Sequence, residues 1–454
     1  MICAAIGAPS GARPPRAGQT EGPSHGAASA PVSGTVLVFP FENESGIASL
    51  DWLGEGISEL TIERLQNRGV TVLSRQERLA ILEKIGLPDS ARFSHATLVK
   101  IAGEADADEV IYGRYVSSGT SVTLEAHVLR TNPPSLSPAL TQTSSMQDLL
   151  RAHAQLSWQI LCALAQKNCL PDGANRDETS FTEPPPSLRV DALQNFIQGL
   201  VGADDDARLR MLREAARLEP AWDRPAFELG LIYFARHDCD SALPWFSRVP
   251  PGRPDGFETS FDAGVCHLQR NDGARAEATF SGLLDRSTSA DPQDRLPELP
   301  EVWNNLGVAH LRLGKWNDAA TEFDHAAMLD AGEVDYLVNL GIAKLAAKQP
   351  AAAVAAFENA RKIAPEDKDA RALLISTLLS VGRGSDAAAI RSEAPGSGGR
   401  AAETIPQDSA GLARMARVSR KFDHSLLRFT GDVPDAQPPL GQASSESHGN
   451  GDRQ

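Results

Sequence analysis

Six stretches of this chain repeat a pattern of small and aromatic residues at a spacing of 34, and that spacing restricts the fold more than any other feature. From Gly307 a step of 34 reaches Gly341 and a second reaches Ile375; from Gly264 the same step backwards reaches Gly230 and then Phe196. Around these anchors Leu306, Gly307, Ala319, Phe323 and Ala326 recur as Leu340, Gly341, Ala353, Phe357 and Ala360, closed by Pro365. Leu229, Gly230, Ala242, Phe246 and Pro254 come earlier in the same register, followed by Ala263, Gly264, Ala276 and Phe280. The outer repeats are degenerate, keeping Ala215 and Pro220 in the first and Leu374, Ala387 and Ala394 in the last. Such a unit is a helical hairpin whose helices approach closely where the side chains are small. A bulkier residue at Gly307 or Ala319 is expected to cost ~1–3 kcal/mol by overpacking. Phe323 and Phe357 are expected to fill the gap toward the neighbouring hairpin, and Gly314 and Gly382 fall in interhelical turns that want a positive φ. One hairpin cannot bury its own apolar face, so the units must stack. The register predicts repeats over 189–222, 223–256, 257–290, 300–333, 334–367 and 368–401, with an insert near 291–299.

This pattern resembles the tetratricopeptide repeat (TPR), and Trp303 stands at that family's Trp position. The resemblance implies an all-α superhelical solenoid over 189–401 whose first helices line a concave groove. By register that face carries Arg224, Phe227, Leu231 and Phe234, then Phe261, Val265 and Leu268, then Asn304, Asn305, Val308 and Leu311, then Val338, Asn339, Ile342 and Leu345. Asn305 and Asn339 occupy the same repeat position, where peptide-binding TPR proteins hydrogen-bond the ligand backbone, so the pair is similar to a short asparagine ladder. The Lys and Asn clamp for a C-terminal carboxylate is not matched, since Val308 and Val338 stand where polar groups are needed. An apolar or extended segment is therefore the implied ligand. Phe227, Leu231, Phe234, Phe261, Val265, Leu268, Asn305, Val308, Leu311 and Asn339 are the candidate contact residues, with self-coverage by the chain's own tail or a second copy as the competing reading.

Ahead of the repeats, residues 35–168 read as a small α+β domain. Thr35–Phe41 and Val70–Leu73 are short β-branched strands, and Ile57, Leu60, Ile62 and Leu65 form the apolar side of a helix between them. Ser74 to Glu77 is a capping box, and Ser94 caps a further helix. Glu109–Val116 and Ser121–Leu129 make a hairpin across the Ser117–Thr120 turn, the second strand alternating as in a sheet with one wet face. A weaker strand near Thr141–Ser145 leads into a helix from Asp148 to Gln166. VLVFPFENES, WLGEGISELTIERLQ, VTVLSRQERLAIL and ADADEVIYGRYVSSGTSVTLEAHVLRT look like the amino-terminal domain of TolB and its stand-alone relatives. That resemblance covers about 95 residues. It implies a mixed sheet with helices on one face, and does not extend to a β-propeller.

The flanks differ in composition. Many of the 37 Gly and 30 Pro fall near the two ends, so residues 1–34 and 431–454 read as tails that cannot bury a core. Phe181–Ser187, within 169–188, is a stiff Pro-rich linker. Over 402–430 the residues Leu412, Met415, Val418, Phe422, Leu426 and Phe429 are helically spaced beside Arg414, Arg417, Arg420 and Lys421. They predict an amphipathic helix that caps the solenoid, or a basic helix for an anionic membrane. With 44 Lys and Arg against 59 Asp and Glu, the net charge of −15 argues against nucleic acid as a partner. No run of ~18 apolar residues is present to span a membrane.

No catalytic signature stands up. Gly54 and Gly56 precede a helix, but a phosphate loop also needs a third glycine and a Lys-Ser/Thr pair. His237, Cys239, Cys266 and His267 are all zinc-ligating types, yet Cys266 and His267 are adjacent on a helix and point apart, so Cys266 reads as a small core residue and no metal or cofactor is expected. Cys162 and Cys169 can pair only if their helix ends early. Five cysteines leave the compartment open: Pro9–Arg13 resembles the end of a signal peptide, which implies a periplasmic or secreted chain if the true start lies upstream and a cytoplasmic one otherwise. The expectation is a non-enzymatic scaffold for a protein or peptide partner in a bacterial envelope; the alternative is a regulatory subunit of a cytoplasmic signalling system, associated with a cyclase or a transcriptional regulator.

Overall fold

The computed structural model describes residues 34–89, 91–165, 178, 181–182, 188–251, 255–287, 298–393, 405–406 and 408–422. All of the expected 1–34 tail but Gly34, the expected 431–454 tail, Cys169, and most of the linker and of the 291–299 insert lie outside the described residues.

The first half is built on β1 (Thr35–Val38), β2 (Glu42–Asn43), α1 (Trp52–Gln66), β3 (Thr71–Val72), α2 (Arg75–Lys84) and α3 (His95–Glu104). There follow β4 (Glu109–Ser118), β5 (Ser121–Thr131), β6 (Pro134–Leu136), β7 (Leu140–Ser145) and α4 (Leu149–Ala165). The strands form one mixed sheet in the order β3-β1-β4-β5-β6, with β2 on β4 and β7 on β5. β1 pairs in parallel with β3 and β4, while β4 and β5 are an antiparallel hairpin turning at Gly119 (φ +64°). Ser74 and Glu77 close the capping box of α2, and Ser94 accepts from the Thr97 amide at the start of α3.

Helices cover both faces of this sheet. Val36 and Val38 pack with Leu53, Ile57, Leu156 and Ile160 of α1 and α4, whereas Leu37 and Phe39 pack with Leu82, Leu98 and Ile101 of α2 and α3. The one-faced arrangement implied by the TolB resemblance therefore does not hold around β1. It holds farther out, where β5 buries Val122, Leu124, Ala126 and Val128 and leaves Thr123, Glu125 and His127 half-exposed. Gly54 is explained by close approach: a Cβ there would collide with the Phe41 carbonyl, and Phe41 N–H donates to Gly54 O at 3.1 Å. Glu55, between the two glycines, faces Arg75 (3.1 Å) and the buried Arg78 (2.5 Å), which ties α1 to α2.

Among the described residues the second half forms six helical hairpins: α5 (Val190–Leu200) with α6 (Asp205–Leu218), α7 (Arg224–Ala235) with α8 (Cys239–Phe246), and α9 (Gly256–Gln269) with α10 (Gly273–Ser287). Then come α11 (Pro300–Arg312) with α12 (Trp316–Leu329), α13 (Val334–Ala346) with α14 (Pro350–Ile363), and α15 (Lys368–Ser380) with α16 (Gly384–Ser392). The repeated Gly and Phe meet within each hairpin: a Cβ on Gly307 would lie 2.7 Å from the Phe323 ring, and one on Gly264 2.6 Å from Phe280. Phe323 and Phe357 thus fill their own hairpins rather than only the gap to the next. Positive φ recurs at one register position in five turns, at His237, Asn271, Gly314, Lys348 and Gly382.

The halves share a core. Leu60 of α1 packs with Leu193, Phe196 and Ile197 of α5, and a Cβ on Gly56 would sit 3.5 Å from Ile197. Beside this seam Arg224, its side chain 12% exposed, meets the buried Glu59 at 2.7 Å. Arg224, expected on the groove wall, is therefore committed to the domain interface.

Cys239 and Cys266 form a disulfide with Cα atoms 5.2 Å apart, joining α8 to α9 of the following hairpin. This corrects the reading of Cys266 as a plain core residue. Cys162 is likewise disulfide-bonded. Among the described residues no group of three or more His, Cys, Asp or Glu is arranged to hold a metal ion, and no helix is long and apolar enough to cross a membrane.

Candidate peptide-binding groove

The expected helix over 402–430 is short. Only α17 (Ser409–Arg414) forms, residues 415–422 continue without helix, and 423–430 lie outside the described residues. Ser409 Oγ donates to Ala346 O, and the chain then runs back along the first helices of the hairpins, opposite to the repeat order. It passes Asn339 and Asn305 and ends against Phe257 and Phe261.

Two asparagines hold the backbone of this segment. Asn339 Nδ2 donates to Arg417 O and Asn339 Oδ1 accepts from Arg417 N–H, both at 2.8 Å. Asn305 treats Ser419 in the same way, at 2.8 and 2.9 Å. Alternate residues of an extended chain present N–H and C=O to the same side, about 7 Å apart, so two amides on successive repeats can grip residues i and i+2. Asn304 braces the pair: it accepts from Asn339 Nδ2 at 2.8 Å and donates to Ser419 Oγ at 2.9 Å. All three asparagines are fully buried.

Side chains add to this grip. Arg417 bonds Asp335 (2.7 Å) and reaches both oxygens of Asp367 (2.7 and 3.0 Å). Burial opposes the charge of Asp367, but Arg417 and the helix-capping amides more than offset it and hold its pKa below the usual carboxylate value. The Arg420 guanidinium lies 4.6 Å from the centre of the Phe234 ring and donates to Phe234 O. Phe422 meets Phe257 and Phe261 edge-on, each at 5.0 Å between ring centres. The wall near Arg420 is acidic. Burial raises Asp262 to about 8, with Glu258 adding and Arg420 opposing; Glu258 is raised to about 7 by burial and by its acidic neighbours Asp255 and Glu228. Glu228 is raised to about 7 by burial, against the pull of Arg224.

Of the ten candidate contacts, the structure brings Phe234, Phe261, Asn305 and Asn339 to this segment. Phe227 and Leu231 instead pack with Val249 and Trp245. Val265, Leu268, Val308 and Leu311 are fully buried in the solenoid core, the same cluster that Leu412, Ala413, Ala416 and Phe422 join. The groove residues not singled out from the sequence include Phe257, Asp262, Asp335, Asp367 and Asp369. Asp335 had a signal, since an acid recurs 34 residues on at Asp369, itself 3.9 Å from Arg417.

Family models agree with the repeat half. Models described as tetratricopeptide repeat match residues 300–332 and 344–403. Among solved structures, MamA residues 41 to end from Desulfovibrio magneticus RS-1 is 20% identical, covers 39% of this chain and 98% of its own, and superposes with a TM-score of 0.35. YrrB, described as a TPR protein with an unusual peptide-binding site, is 14% identical, covers 42% of this chain and 92% of its own, with a TM-score of 0.34. No curated protein matches the chain. The helical half of this chain, behind a mixed α+β sheet domain, carries tetratricopeptide repeats.

Proposed function

We propose that this chain is a non-enzymatic interaction scaffold whose groove takes an extended segment of a partner protein. The observation that carries this reading is the pair of buried amides, Asn305 and Asn339, each engaging both backbone groups of one residue in an extended chain. Backbone recognition of this kind is open to many sequences, and the aromatic residues Phe234, Phe257 and Phe261 supply the apolar anchors that concentrate binding energy. The Cys239–Cys266 disulfide and the bonded Cys162 favour an oxidising compartment, and so the cell envelope over a cytoplasmic signalling complex. In this reading the sheet domain is a second recognition surface, similar to the TolB amino-terminal domain, held in fixed relation to the groove by Arg224 and Glu59.

The test is capture of cross-linked partners from fractionated source cells, with the wild type beside an Asn305→Ala/Asn339→Ala variant. An envelope protein held by the wild type and lost by the variant supports the reading. A partner retained equally by both places binding elsewhere, and a cytoplasmic cyclase or kinase as that partner returns the signalling alternative.

A further inference from the structure

The groove's occupant shows what the groove selects. The asparagines contact only backbone, so they impose extension without sequence; sequence is read at three places. The first is the acidic set Asp335, Asp367 and Asp369, which surrounds a guanidinium on Arg417. The second, three residues on, is the Phe234 ring with Asp262 nearby, and takes a cation at Arg420. The third, two residues further, is the Phe257 and Phe261 pair, which takes an aromatic ring at Phe422. Between them Asn304 bonds the Ser419 hydroxyl, so a small hydroxyl residue fits there. Glu228, Glu258 and Asp262 have no side-chain hydrogen bond of their own among the described residues. The carboxylates Asp335, Asp367 and Asp369 at the first place, and the Phe234 ring face at the second, suit a basic ligand and disfavour an acidic one.

We propose that residues 415–422 are a built-in occupant of this groove, and that its ligand is an extended basic segment of another protein with the pattern Arg-x-Ser-Arg-x-Phe, which binds by displacing the tail. This rests on the reading of the groove as a peptide site and names its ligand class. Because the ligand enters only when the tail is out, its apparent affinity is reduced by the fraction of molecules that are open. The tail then sets a threshold that a weak or wrongly charged segment does not cross.

The test uses the full chain and a fluorescein-labelled peptide of residues 408–422, DSAGLARMARVSRKF, followed by anisotropy. A full-length Arg417→Glu/Phe422→Ala variant, whose tail is weakened and whose groove is untouched, is expected to bind the peptide about tenfold or more tighter than the wild type, ~1.4 kcal/mol per tenfold. Replacing the peptide residues that correspond to Arg417 and Arg420 by Ala is expected to lose at least that factor. In the unmodified chain, the amides of Arg417 and Ser419 are expected to exchange slowly with solvent and to speed up when unlabelled peptide is in excess; this measurement stands even if the variant folds poorly.

Equal affinity for the two chains, absence of binding to a variant of native circular dichroism, or tail amides in the wild type that exchange at the rate of the free peptide would each overturn the proposal. So would a wild-type dimer that the tail substitutions dissolve, since the occupant would then belong to a second copy. These failures leave partner capture through Asn305 and Asn339 untouched, whereas loss of that dependence removes the peptide-site reading itself.

Discussion

The amides of Asn305 and Asn339 each donate once to the tail backbone and accept once from it, so each replaces two water contacts of an extended backbone residue with two hydrogen bonds. At a net ~0.5–1.5 kcal/mol per bond, Asn339→Ala should weaken tail docking by about 1–3 kcal/mol. Faster hydrogen exchange at Arg417, with the protection of α9 and α10 unchanged, would show it. The acidic wall makes a second prediction. Asp262, Glu228 and Glu258 keep their protons to about 7–8 in the folded chain, whereas in the unfolded chain they lose them near pH 4. The folded state therefore binds more protons across this window, and their stabilisation falls as pH rises. His153, lowered to about 3 by burial and by Arg64, acts oppositely, but only below its unfolded value of about 6.5. From pH 6.5 to 8.5 these acids are joined by Glu59, which burial raises, and by His310, which burial lowers but Glu322 and Glu277 hold above its usual value, both acting in the same sense. Denaturant midpoints should fall over this range, and Asp262→Asn should flatten the slope; an unchanged slope would remove Asp262 from the account. The asparagines were legible in sequence because a repeat position carries a role. Asp367 was not, because a carboxylate at a helix start reads as a cap, which it also is, accepting from the Asp369 and Ala370 amides.

Among the elements, the interhelical turns separate what the chain tolerates from what it prefers. One left-handed residue ends the first helix of five hairpins, and glycine fills that position only at Gly314 and Gly382. Lys348 (φ +61°) adopts a conformation that disfavours a Cβ by roughly 1 kcal/mol or more. Lys348→Gly should therefore raise stability by up to about 1 kcal/mol, read as a higher denaturant midpoint with an unchanged m-value; a loss would mean that the Lys348 side chain contributes more than its backbone costs. The hairpins were readable because Gly and Phe recur in register and the contact they make is local to each unit. The disulfide was not, because it depends on the second helix of one repeat packing on the first helix of the next, which places residues 239 and 266 side by side although they are 27 apart in sequence. The tail was misread for a related reason. Leu412, Met415, Val418 and Phe422 have helical spacing, but Arg417 and Ser419 also alternate with period two, and the groove's amides decide between the patterns. Tertiary hydrogen bonds override local propensity here.

At the scale of the molecule, the sheet domain and the solenoid meet through α1 and α5, and the ion pair of Arg224 with the buried Glu59 lies beside that seam. Burial alone would weaken the charge on Arg224, but Asp255, Glu59, Glu63 and Glu228 more than offset it, so its pKa is raised. Burial raises Glu59, with Arg224 opposing, and Glu59 Oε1 has no hydrogen-bond partner. A pair in this setting adds little net stability, because desolvation consumes most of the attraction, yet removing one member strands the other. Arg224→Ala should therefore destabilise the chain by about 3–5 kcal/mol, while Arg224→Met with Glu59→Leu should recover most of that loss. The apolar contacts of Leu60 with Leu193, Phe196 and Ile197 remain in both variants, so the two halves should still unfold in one transition in the double variant. Chemical denaturation followed by near-ultraviolet dichroism for the aromatic-rich repeats, and by hydrogen exchange for the sheet, would separate the outcomes. If the double variant is as weak as the single one, the pair is doing more than neutralising itself, and the orientation of the sheet domain on the groove depends on that charge. If the halves unfold separately even in the wild type, the shared core is too small to couple them, and the sheet domain is a tethered module rather than a fixed second surface.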